Sequence, residues 1–259
     1  MLRSVLMLSL ALTLGMPPRV SAESFSRGSF PSLDDAVPKE ERVDMLLKRA
    51  GECVHERKFV EAIALVSELI GIDPQDPNAY IDRGSAYIRT GRFDLAIADY
   101  SHAITLKSDD ADAWYNRGTA FVSAQQFDNG LTDLNEAIRL RPGFAPAYCN
   151  RPAAYMEKND YDKALADFAA GIERDSNHPF CYYVRGILYM RTGDDQKALL
   201  DFTKTLELKP DEPAQILSQR AELYQRMGDN EKAIADLTGS GIPGRTEGDK
   251  TPKPALSIQ

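Results

Sequence analysis

The chain has 259 residues, of which 43% are hydrophobic and 27% charged; this suits a folded protein and excludes wholesale disorder. Its 39 acidic residues against 31 Lys and Arg leave a formal net charge of −8, which disfavours a surface built to grip phosphate backbones and with it a nucleic-acid partner. Three cysteines are too few for a small disulfide-stapled scaffold.

Residues 1–22 begin with the basic Arg3 and continue as an apolar run from Val5 to Leu14. Pro17 and Pro18 break the run, and Val20-Ser21-Ala22 supplies small residues before Glu23. This is the order of a secretory signal peptide, and the run is too short to span a bilayer. The expectation is cleavage before Glu23, giving a periplasmic or secreted protein without an integral membrane segment. The first cysteine is Cys53, far from the cleavage site, which argues against a lipid anchor. Residues 23–42, rich in Ser, Pro, Gly and acids in their first part, read as a flexible leader.

A repeat follows. Ala96-Ile97-Ala98-Asp99-Tyr100 returns as Ala164-Leu165-Ala166-Asp167-Phe168, Ala198-Leu199-Leu200-Asp201-Phe202 and Ala233-Ile234-Ala235-Asp236-Leu237. Upstream of these, Tyr80 and Gly84 match Trp114 and Gly118, Tyr148 and Pro152, and Tyr182 and Gly186, each unit displaced by 34 residues. The units span 43–76, 77–110, 111–144, 145–178, 179–213 and 214–240. Each predicts two helices. Tyr80, Gly84 and Tyr87 lie at i, i+4 and i+7 on one helical face, and Phe93, Ala96, Ile97, Tyr100 and Ile104 form a second apolar stripe. Thr90-Gly91-Arg92 between them is a helix stop with Gly at the C-cap. No single pair can bury its apolar face alone, so stacking supplies the core. Residues 241–259 hold repeated Gly and Pro with no apolar period, and read as a disordered tail.

The period and its small and aromatic columns, as in Tyr182, Gly186, Tyr189, Ala198, Phe202 and Pro210, resemble the tetratricopeptide repeat family. The resemblance covers residues 43–240. It implies an all-α fold, a right-handed α-solenoid of about six antiparallel helix pairs with a concave groove, and a role in binding protein partners.

Two polar columns accompany the repeat. Arg83, Arg117, Arg151, Arg185 and Arg220 are each followed sixteen residues later by Asp99, Asp133, Asp167, Asp201 and Asp236. These predict structural bridges between the two helices of a unit. As exposed pairs they would contribute at most ~1 kcal/mol each.

Enzyme chemistry finds little purchase. His55, His102 and His178 fall in different units with no metal-ligand spacing, and Phe59 stands where a zinc-protease helix opened by His55-Glu56 would need its second histidine. Asp109-Asp110 and Asp194-Asp195 read as solvated helix starts. No catalytic residue, metal site or cofactor is expected. Cys53 occupies the column of Tyr87, Phe121, Tyr155, Tyr189 and Tyr224, so it reads as buried and inert. Cys149 and Cys181 lie near the starts of the first helices of adjacent units. Neighbouring helix axes run ~8–10 Å apart and a disulfide needs Cα atoms within about 7 Å, which argues against a bond between them while leaving it open. Pro152 in mid-helix predicts a kink costing ~3 kcal/mol.

The expected function is a protein–protein interaction scaffold or assembly factor in the cell envelope. A chaperone or adaptor for exported proteins is the second reading, and a non-catalytic subunit of an envelope enzyme the third. Family resemblance implies that one face of each first helix lines the groove. One residue past the core column, about 100° around the helix, come Ile81 and Ile88, then Tyr115 and Thr119, Cys149 and Met156, and Tyr183, Ile187 and Met190, flanked by Phe180. Tyr115, Met156, Tyr183 and Met190 are the expected anchors for an apolar peptide or helix. No capping helix follows the last unit, so Ala233, Ile234 and Leu237 are expected to form an apolar patch covered by the leader, a partner or a second copy in a homodimer.

Overall fold

The computed structural model describes residues 38–210 and 213–239. Among these residues the secondary structure is entirely helical: α1 Lys39–His55, α2 Phe59–Ile72, α3 Pro77–Arg89, α4 Phe93–Leu106, α5 Ala111–Ser123, α6 Phe127–Leu140, α7 Ala145–Glu157, α8 Tyr161–Arg174, α9 Pro179–Thr192, α10 Asp195–Glu207, α11 Ala214–Arg226 and α12 Asn230–Leu237. The signal-like segment and residues 241–259 lie outside the described residues. One boundary moves. The segment read as leader becomes helical at Lys39, because Pro38 supplies an extended N-cap and Glu40 and Glu41 occupy the first turn, where the helix dipole favours acids.

The chain forms an all-α solenoid of helix pairs in two compact units that divide between Pro142 and Gly143. In the first, α1 packs on α2, α3 on α4 and α5 on α6, while α2 meets α3 and α4 meets α5. In the second, α7 packs on α8, α9 on α10 and α11 on α12, with α8 against α9 and α10 against α11.

Each pair is closed by one left-handed residue: Arg57, Gly91, Gln125, Asn159, Gly193 or Gly228. The following N–H then reaches back to a carbonyl of the first helix, as Arg92 N–H does to Tyr87 at 2.9 Å and Asp194 N–H to Tyr189 at 2.9 Å. That bond satisfies a helix-end carbonyl. Arg57, Gln125 and Asn159 carry side chains where glycine would be unstrained, at a cost of roughly 1–2 kcal/mol each. The acid pairs resolve into caps. Asp110 accepts from the N–H groups of Asp112 and Ala113, and Asp194 from that of Lys197.

Packing within a pair depends on a close approach. A Cβ on Gly186 would lie 2.7 Å from Phe202, so α9 and α10 sit nearer than any side chain at 186 permits. In α7 the same column holds Pro152, which is fully buried in a helix that runs without interruption from Ala145 to Glu157. The proline directly follows two strong attachments of the same helix, the bridge from Arg151 and the covalent tie at Cys149 described below.

Candidate partner-binding face

The arginine column makes a composite site in each of the last five pairs. Arg83 Nε and Nη2 donate to the two carboxylate oxygens of Asp99, both at 2.8 Å. The fork repeats at Arg117–Asp133 (2.7 and 3.0 Å), Arg185–Asp201 (2.8 and 2.7 Å) and Arg220–Asp236 (2.8 and 2.6 Å), and again at Arg151–Asp167. In four of the five the guanidinium also sits between aromatic rings three residues before and four after it, Arg117 lying 4.8 Å from the centroid of Trp114 and 5.8 Å from that of Phe121, while Arg220 has only the later ring, Tyr224, at 5.8 Å. These bridges are not the exposed pairs expected from the sequence. All five aspartates are buried, and Arg220 and Asp236 are only 5% and 3% exposed. Hydrogen bonds donated to the carboxylates of Asp99 and Asp201 hold Arg83 and Arg185 above the ordinary guanidinium range, whereas burial pushes the Asp133 carboxyl up against the bonds Arg117 donates. With every fork occupied by its own aspartate, this column holds helices together.

The expected groove column divides. Ile81, Tyr115 and Met190 are half-buried, and burial pushes the Tyr115 hydroxyl up to about 12. Ile88, Thr119, Cys149, Met156, Phe180, Tyr183 and Ile187 are buried. Met156, with no exposed surface, and Tyr183 are therefore core residues, and as anchors for a partner they are corrected. The reason is packing between neighbouring first helices, which touch directly, α3 with α5 and α7 with α9. In the second unit the approach is closer still. Cys149 and Cys181 form a disulfide with Cα atoms 4.9 Å apart, the outcome the interhelical spacing had argued against. Gly171 of α8 makes room: a Cβ there would meet the two sulfurs at 2.8 and 2.9 Å.

Cys53 is half-buried, not fully enclosed, and desolvation raises its thiol. At the other end Ala233 is buried, so the expected terminal patch reduces to Ile234 and Leu237, 62% and 51% exposed. No group of three or more His, Cys, Asp or Glu among the described residues could hold a metal ion. None of the described helices is long and apolar enough to cross a membrane.

Tetratricopeptide repeat models match residues 111–144, 145–178, 179–212 and 214–238, and a further repeat model matches 84–125. The chain belongs to the tetratricopeptide repeat family. No curated protein matches it. Solved structures share the repeat fold at low identity. PilW, a type IV pilus biogenesis factor, is 16% identical with a TM-score of 0.66, covering 78% of this chain and 94% of its own. The Pseudomonas aeruginosa pilF protein is 16% identical with a TM-score of 0.63, covering 80% and 95%. MamA from Desulfovibrio magneticus RS-1 is 20% identical with a TM-score of 0.55, covering 65% and 96%. At these identities the likeness is one of fold.

Within the tetratricopeptide repeat pattern, the sequence reading missed two features. Arg83, Arg117 and Arg220 each donate through Nη1 to a hydroxyl on the preceding pair, Ser67 at 3.2 Å, Ser101 at 3.0 Å and Thr203 at 3.2 Å. A hydroxyl sixteen or seventeen residues before the arginine was the available signal. The groove column also begins one repeat earlier than expected. One position past Leu46, Ala50 and Cys53 stand Leu47, Gly51 and Val54, and here the column is open. Leu47 is 48% and Val54 51% exposed, and nothing lies within 4 Å of where a Cβ on Gly51 would be.

Proposed function

We propose that this protein is a non-catalytic interaction scaffold of the cell envelope that takes an apolar peptide or helix of a partner along the first helices of its first unit. One observation carries the reading: Leu47 and Val54 present half their surface to solvent on α1, in the same column as the half-buried Ile81 and Tyr115. Aliphatic and aromatic anchors around an open glycine notch suit an apolar side chain that needs no chemistry done to it. Asp82, on α3 beside Ile81, adds a polar contact. Desolvation, and secondarily Asp76, holds its carboxyl above the ordinary range, so a basic group on the partner would relieve it. The envelope location draws on the signal-like segment Arg3 to Ala22 and on the buried disulfide, a bond that persists in oxidising compartments. The pilus-biogenesis role of PilW makes an assembly factor the natural form of such a scaffold.

The test is capture from an envelope extract with the protein and its Leu47→Ser/Tyr115→Ala variant. A defined partner should be retained by the first and lost by the second, each anchor contributing ~1–2 kcal/mol. Equal capture by a correctly folded variant refutes the face. Retention of many unfolded clients instead of one partner would make the protein a chaperone, the second reading.

A further inference from the structure

Cys149 and Cys181 have no exposed surface, and one turn of α8 lies directly over their sulfurs. The Phe168 carbonyl oxygen is 3.9 Å from Cys181 Sγ, and a Cβ on Gly171 would lie 2.8 Å from Cys149 Sγ and 2.9 Å from Cys181 Sγ. The repeat shows that this glycine belongs to the disulfide. Its column holds Leu69, Ala103, Ala137 and Thr205 on α2, α4, α6 and α10, all buried, and loses its side chain only where it faces the two sulfurs. We infer that the Cys149–Cys181 bond is made before α8 docks, by a disulfide-bearing oxidant acting on the still-open chain, and that the folded unit is closed to this chemistry in both directions.

Disulfides are made and broken through a mixed disulfide, so either direction needs room for a foreign sulfur and its substituent beside one of the two cysteines. In the making direction, the thiolate of one cysteine attacks the oxidant's disulfide. A mixed disulfide forms and one half of the oxidant leaves as a thiol. The thiolate of the second cysteine then attacks the chain sulfur of that mixed disulfide, and the other half of the oxidant leaves. Two chain thiols are oxidised, one disulfide is reduced to two thiols, and the two protons end on those thiols. The folded unit has no place for the intermediate. A single methyl group at residue 171 already falls inside the contact distance of both sulfurs, so a larger sulfur-bearing group fits only with α8 withdrawn. In the open chain the pairing is favoured by loop length. Cys149 and Cys181 are separated by 32 residues, whereas Cys53 lies in the first unit and would have to close a much longer loop to compete. The inference holds whatever partner the open face of α1 takes.

The test follows the appearance of thiols at Cys149 and Cys181 by maleimide labelling in dithiothreitol, starting from protein with its bond intact. The half-buried Cys53 is the internal control for the reagent. Without denaturant, reduction should be at least ~100-fold slower than in urea that unfolds the chain, and it should accelerate as urea raises the open population. Gly171→Ala, which restores the residue found on α4 and α6, should speed reduction about tenfold without denaturant, because its Cβ presses α8 off the sulfurs. The forward direction is read with oxidised glutathione. A chain folded in reductant and then moved into oxidised glutathione should close the bond at least ~100-fold more slowly than a chain given the same oxidant while it folds. A reduced chain that fails to fold supports the same order, because oxidation must then come first. Reduction of the native protein at a rate close to that in unfolding urea overturns the inference. A folded reduced chain that closes its bond as fast as a folding one also overturns it.

Discussion

Arg220→Met is the sharpest probe of how the array is held together. The Arg220 guanidinium donates two hydrogen bonds to Asp236 at 2.8 and 2.6 Å and a third to Thr203 at 3.2 Å, and it lies 5.8 Å from the ring centroid of Tyr224. The two side chains are 5% and 1% exposed, so solvent screens the pair little. Methionine keeps the length and removes the charge, leaving the Asp236 carboxylate buried without its cation. Breaking a buried pair in this way costs ~3–5 kcal/mol, where an exposed pair would cost at most ~1 kcal/mol. Since α12 is only eight residues long and is anchored through Asp236, the loss should appear first there. Urea denaturation followed by circular dichroism gives the global cost. Hydrogen exchange at the α12 amides gives the local one and should show at least ~100-fold less protection, at 1.4 kcal/mol per tenfold. The double variant Arg220→Met/Asp236→Leu should recover most of the loss, because no charge is left stranded. A single-variant cost below ~1 kcal/mol, or a double variant no more stable than the single one, would refute the argument.

Two further predictions concern the disulfide and the exposed Asp82 carboxyl. The Cys149–Cys181 bond closes a loop with a sequence separation of 32, so Cys149→Ala/Cys181→Ala should lower stability by ~2–4 kcal/mol, read as a lower urea midpoint that added reductant no longer changes; equal midpoints for parent and variant would show that the bond contributes nothing. Asp82→Asn should be stabilising at neutral pH and neutral in strong acid. The folded carboxyl is raised above the ordinary aspartate value of 3.8, so the ionised form costs stability that accumulates as pH rises from 3.8 through the folded value, and below 3.8 both states are protonated. Melting temperatures of both proteins across that range check the sign, and a stabilisation that grows toward acid pH would contradict it.

The legible part of this protein was what a period of 34 residues encodes. Two apolar stripes per repeat, a turn between them and a small residue at Gly84, Gly118 and Gly186 are local patterns, and helix geometry converts them into faces without reference to the rest of the chain. The Arg–Asp partnership was visible as a constant spacing of sixteen residues. Its energetic character was not, because spacing carries no information on burial. The groove was misjudged for the same reason. A column position specifies which side of α7 Met156 is on, but its accessibility depends on how closely α9 approaches. That approach was decided by a disulfide and by Gly171 on a third helix.

Periodicity alone thus determined the fold class, the helix pairs, the pairing of charged columns and the family, since each depends on contacts repeated at fixed separation. Tertiary structure decided which members of each column meet solvent. Tyr183 and Tyr115 are equivalent in sequence, yet one is buried and the other half-buried, and the open apolar end of the column proved to be Leu47 and Val54. Exposure is a property of all the neighbours together, and a residue's place in a repeat names only some of them.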